Sequence, residues 1–124
     1  MPPRCVLVVD DEEDIREVAA LSFELAGWQV VVAPSGHDGI AAANAAAPDV
    51  ILLDVMMPEL DGPATYALLQ AEAGTREIPV VFLTAKVQAA DKRRYAAMGV
   101  RGVIAKPFDP LTLPAEVESI LGEG

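Results

Sequence analysis

The stretch Val6–Asp14, VLVVDDEED, sets four apolar residues directly against five acidic ones. Such an unbroken apolar run is what a strand covered on both faces requires. Adjacent carboxylates repel one another, so something elsewhere in the chain must offset them. Comparable apolar runs recur at Val30–Ala33, Val50–Val55, Val80–Leu83 and Val103–Ala105. Between them lie longer stretches with helical spacing, at Asp14–Ala26, Ser35–Ala47, Gly62–Ala73, Ala89–Met98 and Leu111–Leu121. Near-continuous apolar strands joined by helical crossovers pair in parallel. The expected fold class is therefore α/β, a doubly wound (βα)5 arrangement around a five-stranded parallel sheet.

The helix breakers agree with these boundaries. Gly27 is placed to end the first helical stretch, Pro48 the second and Gly99 the fourth. Ser35 and Asp109 stand where helix caps belong. Pro114 falls inside the fifth stretch, so that helix is expected to start late or with an irregular first turn.

The chain has 124 residues, 52% of them hydrophobic and 23% charged, which suits one globular domain rather than a disordered segment. A net charge of −10 disfavours direct nucleic-acid binding, which demands clustered Lys and Arg. The densest basic run, Lys92–Arg94, reads as a solvated helix face. Cys5 stands alone and without metal-ligand spacing, so a small buried or half-buried hydrophobe is expected there. No run has transmembrane length and MPPRC lacks a signal peptide's apolar stretch, so the expectation is a cytoplasmic protein with no membrane partner. The start MPPR reads as a native N-terminus, and residues 1–124 as a single domain with no output domain, although excision from a longer chain stays open.

Polar residues follow the strands in a pattern. Asp10 and Asp11 follow the first, Asp54 ends the third, Thr84 follows the fourth and Lys106 the fifth. In open α/β sheets, ligands bind beyond the carboxyl ends of the strands, where strand order reverses. With order 2-1-3-4-5, Asp10, Asp11 and Asp54 converge at that point, with Thr84 and Lys106 beside them. Three carboxylates in a shallow crevice suit a hard divalent cation, and oxygen ligands with open positions favour Mg²⁺. Glu12, Glu13 and Asp14 fall at the positive end of the first helix, which favours each by roughly 0.3–1 kcal/mol. Lys106 can pair with a site carboxylate. Three Asp and one Lys give −3 + 1 = −2, which one Mg²⁺ neutralises. Such a cluster invites a phosphoryl group, shared by Mg²⁺ and Lys106 and hydrogen-bonded by Thr84. Asp54, alone at its strand end, is the best nucleophile for an aspartyl phosphate.

The segments VLVVDDEEDIRE, DVILLDVMMPELDG, VVFLTAK and AKPF, in that order, closely resemble the receiver domain of two-component response regulators, of the chemotaxis-regulator, flavodoxin-like fold. The resemblance spans essentially the whole chain. It implies Asp54 as phosphoacceptor, Asp10 and Asp11 as the acidic pair for Mg²⁺, and Asp11, Asp54 and the Met56 backbone carbonyl as direct ligands. It further implies Thr84 as switch hydroxyl, Lys106 as the phosphoryl-pairing cation and a cis Lys106–Pro107 peptide. The implied donor is a phosphohistidine on a sensor histidine kinase or a histidine phosphotransfer domain, with a downstream target protein as reader. The chain would catalyse only its own phosphorylation and slow dephosphorylation. Val103 departs from the pattern, since the family commonly places Tyr or Phe there.

Other residues carry smaller expectations. The first helix shows a stripe of Ile15, Val18, Ala19, Ser22 and Ala26, with Phe23 at its edge. Leu21 and Leu25 fall to one side, where partial burial against a neighbouring helix is expected; the alternative is an apolar strip for a kinase or phosphotransfer helix. His37 reads as exposed, Trp28 as packing over a sheet edge, Met56 and Met57 as rim or loop residues, and Lys86 as rimming the site.

Two other functions compete with the switch. One is a phosphorylation-independent interaction module on the same fold, which Val103 favours and the complete polar set opposes. The other is a Mg²⁺-dependent phosphatase, which would place an acid two residues after its nucleophile, where this chain has Met56.

Overall fold

Strand and helix alternate along residues 4–85 and 88–122, which the computed structural model describes. The elements are β1 (Cys5–Val9), α1 (Glu13–Leu25), β2 (Gln29–Ala33), α2 (Gly36–Ala46) and β3 (Val50–Asp54). They continue with α3 (Gly62–Ala71), β4 (Val80–Thr84), α4 (Ala89–Met98), β5 (Gly102–Ala105) and α5 (Leu113–Ile120). The sheet has five strands in the order β2-β1-β3-β4-β5, all pairs parallel, as the apolar runs require.

Strand alternation divides the core in two. Leu7, Val9, Ile51, Leu53, Val80 and Phe82 face one side, under Ala43 of α2, Tyr66 and Leu69 of α3 and Tyr95 of α4. Val6, Val8, Val50, Leu52, Val81, Leu83 and Ile104 face the other, under Ala19 and Phe23 of α1 and Leu113 and Val117 of α5. Each fully buried aliphatic or aromatic side chain contributes about 1.5–3 kcal/mol, which explains why both faces stay apolar. Register then aligns the strand ends. Val9 pairs with Leu53, so Asp10 and Asp54 emerge side by side at the carboxyl edge.

The helix ends follow local chemistry. Ser35 caps α2, its hydroxyl accepting the Asp38 N–H at 3.1 Å, and Asp61 caps α3 by accepting the Ala64 N–H at 2.9 Å. Gly27 and Gly99 close α1 and α4 with φ of 91° and 108°, a left-handed conformation that glycine adopts without penalty. Ala47 turns left-handed just before Pro48, ending α2.

Three expectations need correction. On α1, Val18 is 42% exposed, Leu21 58% and Leu25 78%, and Ala26 is also exposed, so the apolar stripe is rotated. Where a helix lies close on a sheet, small residues mark the approach. Ala19 and Ser22 take that line, and the Ser22 hydroxyl donates to the Pro110 carbonyl. Phe23 is central rather than peripheral, fully buried with its ring edge-on to Trp28 at 5.1 Å. Asp109 does not cap α5. Its carboxylate accepts the Leu111 N–H at 2.9 Å, closing a preceding turn, and α5 begins at Leu113 with Pro114 in its first turn. The late start expected from Pro114 is what the chain adopts. Finally, β3 ends at Asp54, before Val55, and β4 runs on to include Thr84.

Among the described residues, no helix is long and apolar enough to cross a membrane. Lys92, Arg93, Arg94 and His37 are exposed and Cys5 is half-buried, as their settings suggested. The Lys106–Pro107 peptide is cis. Lys86 lies outside the described residues.

Candidate functional site

The carboxyl edge of β1, β3 and β5 gathers three carboxylates around one ammonium. Lys106 Nζ stands 2.7 Å from Asp10 Oδ2, 3.2 Å from Asp54 Oδ1 and 3.6 Å from Glu12 Oε1. Asp10 is fully buried and Asp54 is 2% exposed, so these carboxylates lie beyond the reach of bulk-water screening. Lys106 is positioned by its own strand pairing, its N–H donating to the Thr84 carbonyl at 3.0 Å.

The β1–α1 turn is held from several directions. The Asp10 N–H donates to the Ala33 carbonyl at 3.1 Å, continuing the β1–β2 ladder. Asp10 Oδ1 accepts the Glu12 N–H at 2.9 Å, and the Arg16 guanidinium donates to the Asp10 carbonyl at 2.8 Å. Asp10 Oδ2 is a buried oxygen whose partner is the Lys106 ammonium at 2.7 Å. Carboxylate oxygens of Asp10, Asp11 and Glu12 lie within 4.8 Å of one another. One buried carboxylate beside two exposed ones is an all-oxygen donor set that fits a hard divalent cation.

Asp54 is shaped by burial. Its carboxyl is pushed up from 3.8 to about 6, first by desolvation and then by the Asp10 charge; Lys106 and the Met56 N–H, 3.3 Å from Oδ1, pull the other way. For Lys106, burial alone would lower the pKa. Hydrogen bonding and charge from Asp10, followed by Asp54, outweigh that, and the net shift is upward, so the ammonium persists. Behind Asp54, the Gly62 backbone packs so closely that a Cβ there would sit 2.6 Å from the Asp54 carbonyl oxygen. The Gly62 N–H donates to the Val55 carbonyl at 3.0 Å, tying the β3–α3 loop under the strand end.

The structure thus brings Asp10, Asp54 and Lys106 into direct contact, with Asp11 in the carboxylate cluster beside them. Thr84 is buried at the end of β4, one register step beyond Leu83, the β4 partner of Asp54. Met56 is 65% exposed and its backbone N–H faces Asp54, while Met57 is buried in the core. Val103 is half-buried on β5, paired in register with Phe82.

Three contributors escaped the sequence reading. Glu12 reads as a helix-terminal carboxylate yet reaches toward Lys106. Arg16 reads as an ordinary helix residue, although it stands one turn into α1 where a long side chain can fold back on Asp10. Gly62 reads as a helix start, and its signal was the pair Asp61–Gly62, a cap followed by a residue without Cβ.

Comparison with known proteins identifies the family. Residues 6–118 match the response regulator receiver domain. The phosphate regulon transcriptional regulatory protein PhoB of Klebsiella pneumoniae is 40% identical over 118 residues, covering 95% of this chain and 52% of that protein. The DNA-binding dual master transcriptional regulator RpaA of Synechocystis is 35% identical over 116 residues, covering 94% of this chain and 48% of that one. The chain therefore spans about half the length of these curated relatives. Among solved structures, the chemotaxis response regulator CheY4 of Vibrio cholerae superposes with a TM-score of 0.88 at 30% identity, covering 95% of this chain and 98% of that one.

Proposed function

Because the chain belongs to the response regulator receiver family, we propose that it is a phosphorylation-dependent switch or phosphorelay carrier that takes a phosphoryl group onto Asp54. The observation that carries this reading is the Lys106 ammonium, held 2.7 Å from Asp10 and 3.2 Å from Asp54 at the mouth of the sheet. An Asp54 oxygen attacks phosphorus as the bond from phosphorus to the donor imidazole nitrogen breaks, and that nitrogen takes up a proton. Asp54 must be ionised to attack, and with its pKa near 6 it is mostly so at neutral pH. Lys106 then shares the phosphoryl charge and the Thr84 hydroxyl can hydrogen-bond one of its oxygens. Asp10, Asp11, Asp54 and the Met56 carbonyl would hold Mg²⁺, with Glu12 alongside. A bound Mg²⁺ would neutralise charge on the phosphoryl oxygens as the bonds exchange.

The donor would be a phosphohistidine on a sensor histidine kinase or a phosphotransfer domain, and the phosphorylated form would be read by a downstream target protein. The fold offers the exposed strip of Val18, Leu21 and Leu25 on α1, beside the site, for the donor's helix. Intact mass after incubation with acetyl phosphate and Mg²⁺ tests the reading. One added phosphoryl group in the wild type, absent in Asp54→Asn and absent without Mg²⁺, is the expected result. No gain at short times and low temperature would refute it and favour an interaction module that does not use phosphorylation.

A further inference from the structure

Strand β2 forms one edge of the sheet and pairs with β1 alone. The phase of that pairing is fixed at both ends. The Gln29 N–H donates to the Arg4 carbonyl at 2.8 Å, and the Ala33 carbonyl accepts the Asp10 N–H at 3.1 Å. In a parallel ladder, residues that bond the neighbouring strand alternate with residues that face away from it. Gln29, Val31 and Ala33 therefore bond β1, and the N–H and C=O groups of Val30 and Val32 point outward from the sheet. Natural sheet edges are commonly blunted by charge, proline or a bulge. The opposite edge, β5, is bracketed by Arg101 and Lys106, with Pro107 next. β2 reads QVVVA, with neither charge nor proline inside it and an unbroken register to β1.

Beside this edge α1 leaves room. A cavity of about 270 Å³ opens there, lined by Glu13, Arg16, Glu17, Ala20 and Val32, and Val32 is 45% exposed. The α1 residues fall at i, i+3, i+4 and i+7, one stripe of the helix, which Glu24 continues a turn further on. Val32 and Ala20 supply an apolar floor. The Arg16 guanidinium is turned to the Asp10 carbonyl at 2.8 Å, so the exposed carboxylates of Glu13 and Glu17 set a negative rim. Arg16 is the one basic residue that α1 contains.

We propose that the outer edge of β2 is a strand-addition site for an extended, basic segment of a partner protein. The Val30 and Val32 backbone groups bond the added strand, a small apolar side chain fills the cavity over Val32 and Ala20, and flanking Lys or Arg side chains meet Glu13 and Glu17. Main-chain bonds supply affinity in this mode, and the cavity with its acidic rim supplies selectivity. A second copy of this chain suits the edge less well. Pairing β2 antiparallel with its own copy keeps α1 on the same face of both sheets and sets two Glu-bearing stripes against each other, on molecules of net charge −10. The site stands apart from the phosphoryl-acceptor reading, since neither Asp54 nor Lys106 takes part in it.

The test uses the full chain and a fluorescein-labelled peptide, Lys-Thr-Val-Thr-Lys, whose valine and two lysines share one face of a strand. Three peptide controls accompany it: the same peptide N-methylated at its three central residues, and versions with Glu in place of Lys and with Gly in place of Val. Fluorescence polarisation at low salt should show saturable binding of the parent peptide. N-methylation, which keeps the charge but removes the strand's donors, should weaken binding about tenfold or more. The Glu peptide should not bind, the Gly peptide should bind less tightly, and Glu17→Gln should weaken the parent about two- to fivefold. Val32→Lys, at an exposed position, should abolish binding while far-UV circular dichroism and melting temperature stay near wild type. With saturating peptide, the Val30 and Val32 amides should exchange about tenfold more slowly, whereas Val31, already bonded to β1, should change little. No saturable binding, or equal binding of the N-methylated peptide, would overturn the proposal. So would protection arising away from β2. Sedimentation of the chain alone decides the occupant: a dimer that Val32→Lys dissolves would replace the basic segment by a second copy and overturn the proposal as stated.

Discussion

Replacing Asp54 by Asn should stabilise the protein at neutral pH, by an amount that the site's electrostatics set. Burial and the Asp10 charge raise the Asp54 carboxyl from 3.8 to about 6. The folded state therefore holds the proton more tightly than the unfolded chain, and folding loses stability as pH rises between those two values. A shift of about two units corresponds to about 3 kcal/mol, present in full above pH 6 and absent below about pH 4. Asn is a neutral isostere and escapes the penalty. The assay is urea unfolding of wild type and Asp54→Asn from pH 4 to 8 in a chelator, comparing midpoints. With a slope of about 1–3 kcal/mol per molar urea, the variant's advantage should be roughly 1–3 M at pH 7.5 and shrink toward zero at pH 4. Saturating Mg²⁺ should close the gap by stabilising the wild type. Midpoints that run parallel across the whole pH range, or a wild type that gains on the variant as pH rises, would refute the argument that ionised Asp54 is held under strain.

Lys106→Ala removes the cation shared by two buried carboxylates and should cost about 3–5 kcal/mol at pH 7.5, measured by urea midpoint, with the loss shrinking toward acid as Asp54 protonates. Gly62→Ala drives a Cβ into the Asp54 backbone and should cost about 1–3 kcal/mol, visible as a lower melting temperature. Leu25→Ser, at a side chain 78% exposed, should change stability by less than about 0.5 kcal/mol; a loss above 1 kcal/mol would place Leu25 in a packed interface. Mg²⁺ at a hundred times its dissociation constant should add about 2.7 kcal/mol to the wild type in denaturant titrations, with much of that gain missing in Asp11→Asn.

Much of this architecture is legible before folding because a parallel strand buried on both faces leaves little choice of residue. Val50–Asp54 is buried at every position, and its sequence VILLD shows it. The gathering of polar groups was legible for a related reason: at the ends of such strands Asp54, Thr84 and Lys106 break an otherwise apolar pattern. Side-chain reach was harder to read. Whether Arg16 and Glu12 fold back over the turn depends on rotamers and on where Lys106 arrives, which no local pattern encodes. The face of α1 was misread because helix periodicity was weighted by hydrophobicity. Close packing selected Ala19 and Ser22 for the inner line and left Leu21 and Leu25 outside. At α5, Pro114 predicted the late start that the chain adopts, whereas the cap expected at Asp109 was captured by a turn of its own.

The central ammonium has a consequence for how the protein is made. Asp10 comes from the first strand's end and Lys106 from just past the last, so synthesis delivers the two halves of the contact far apart in time. A chain emerging from the ribosome with β1 and β3 but not yet β5 carries the carboxylates of Asp10 and Asp54 without their cation. Those like charges oppose closing the strand ends until the final strand docks. The assembled charge cluster of Asp10, Asp54 and Lys106 therefore arrives last and all at once. If the proposed function holds, a fragment truncated before β5 should be unable to accept a phosphoryl group.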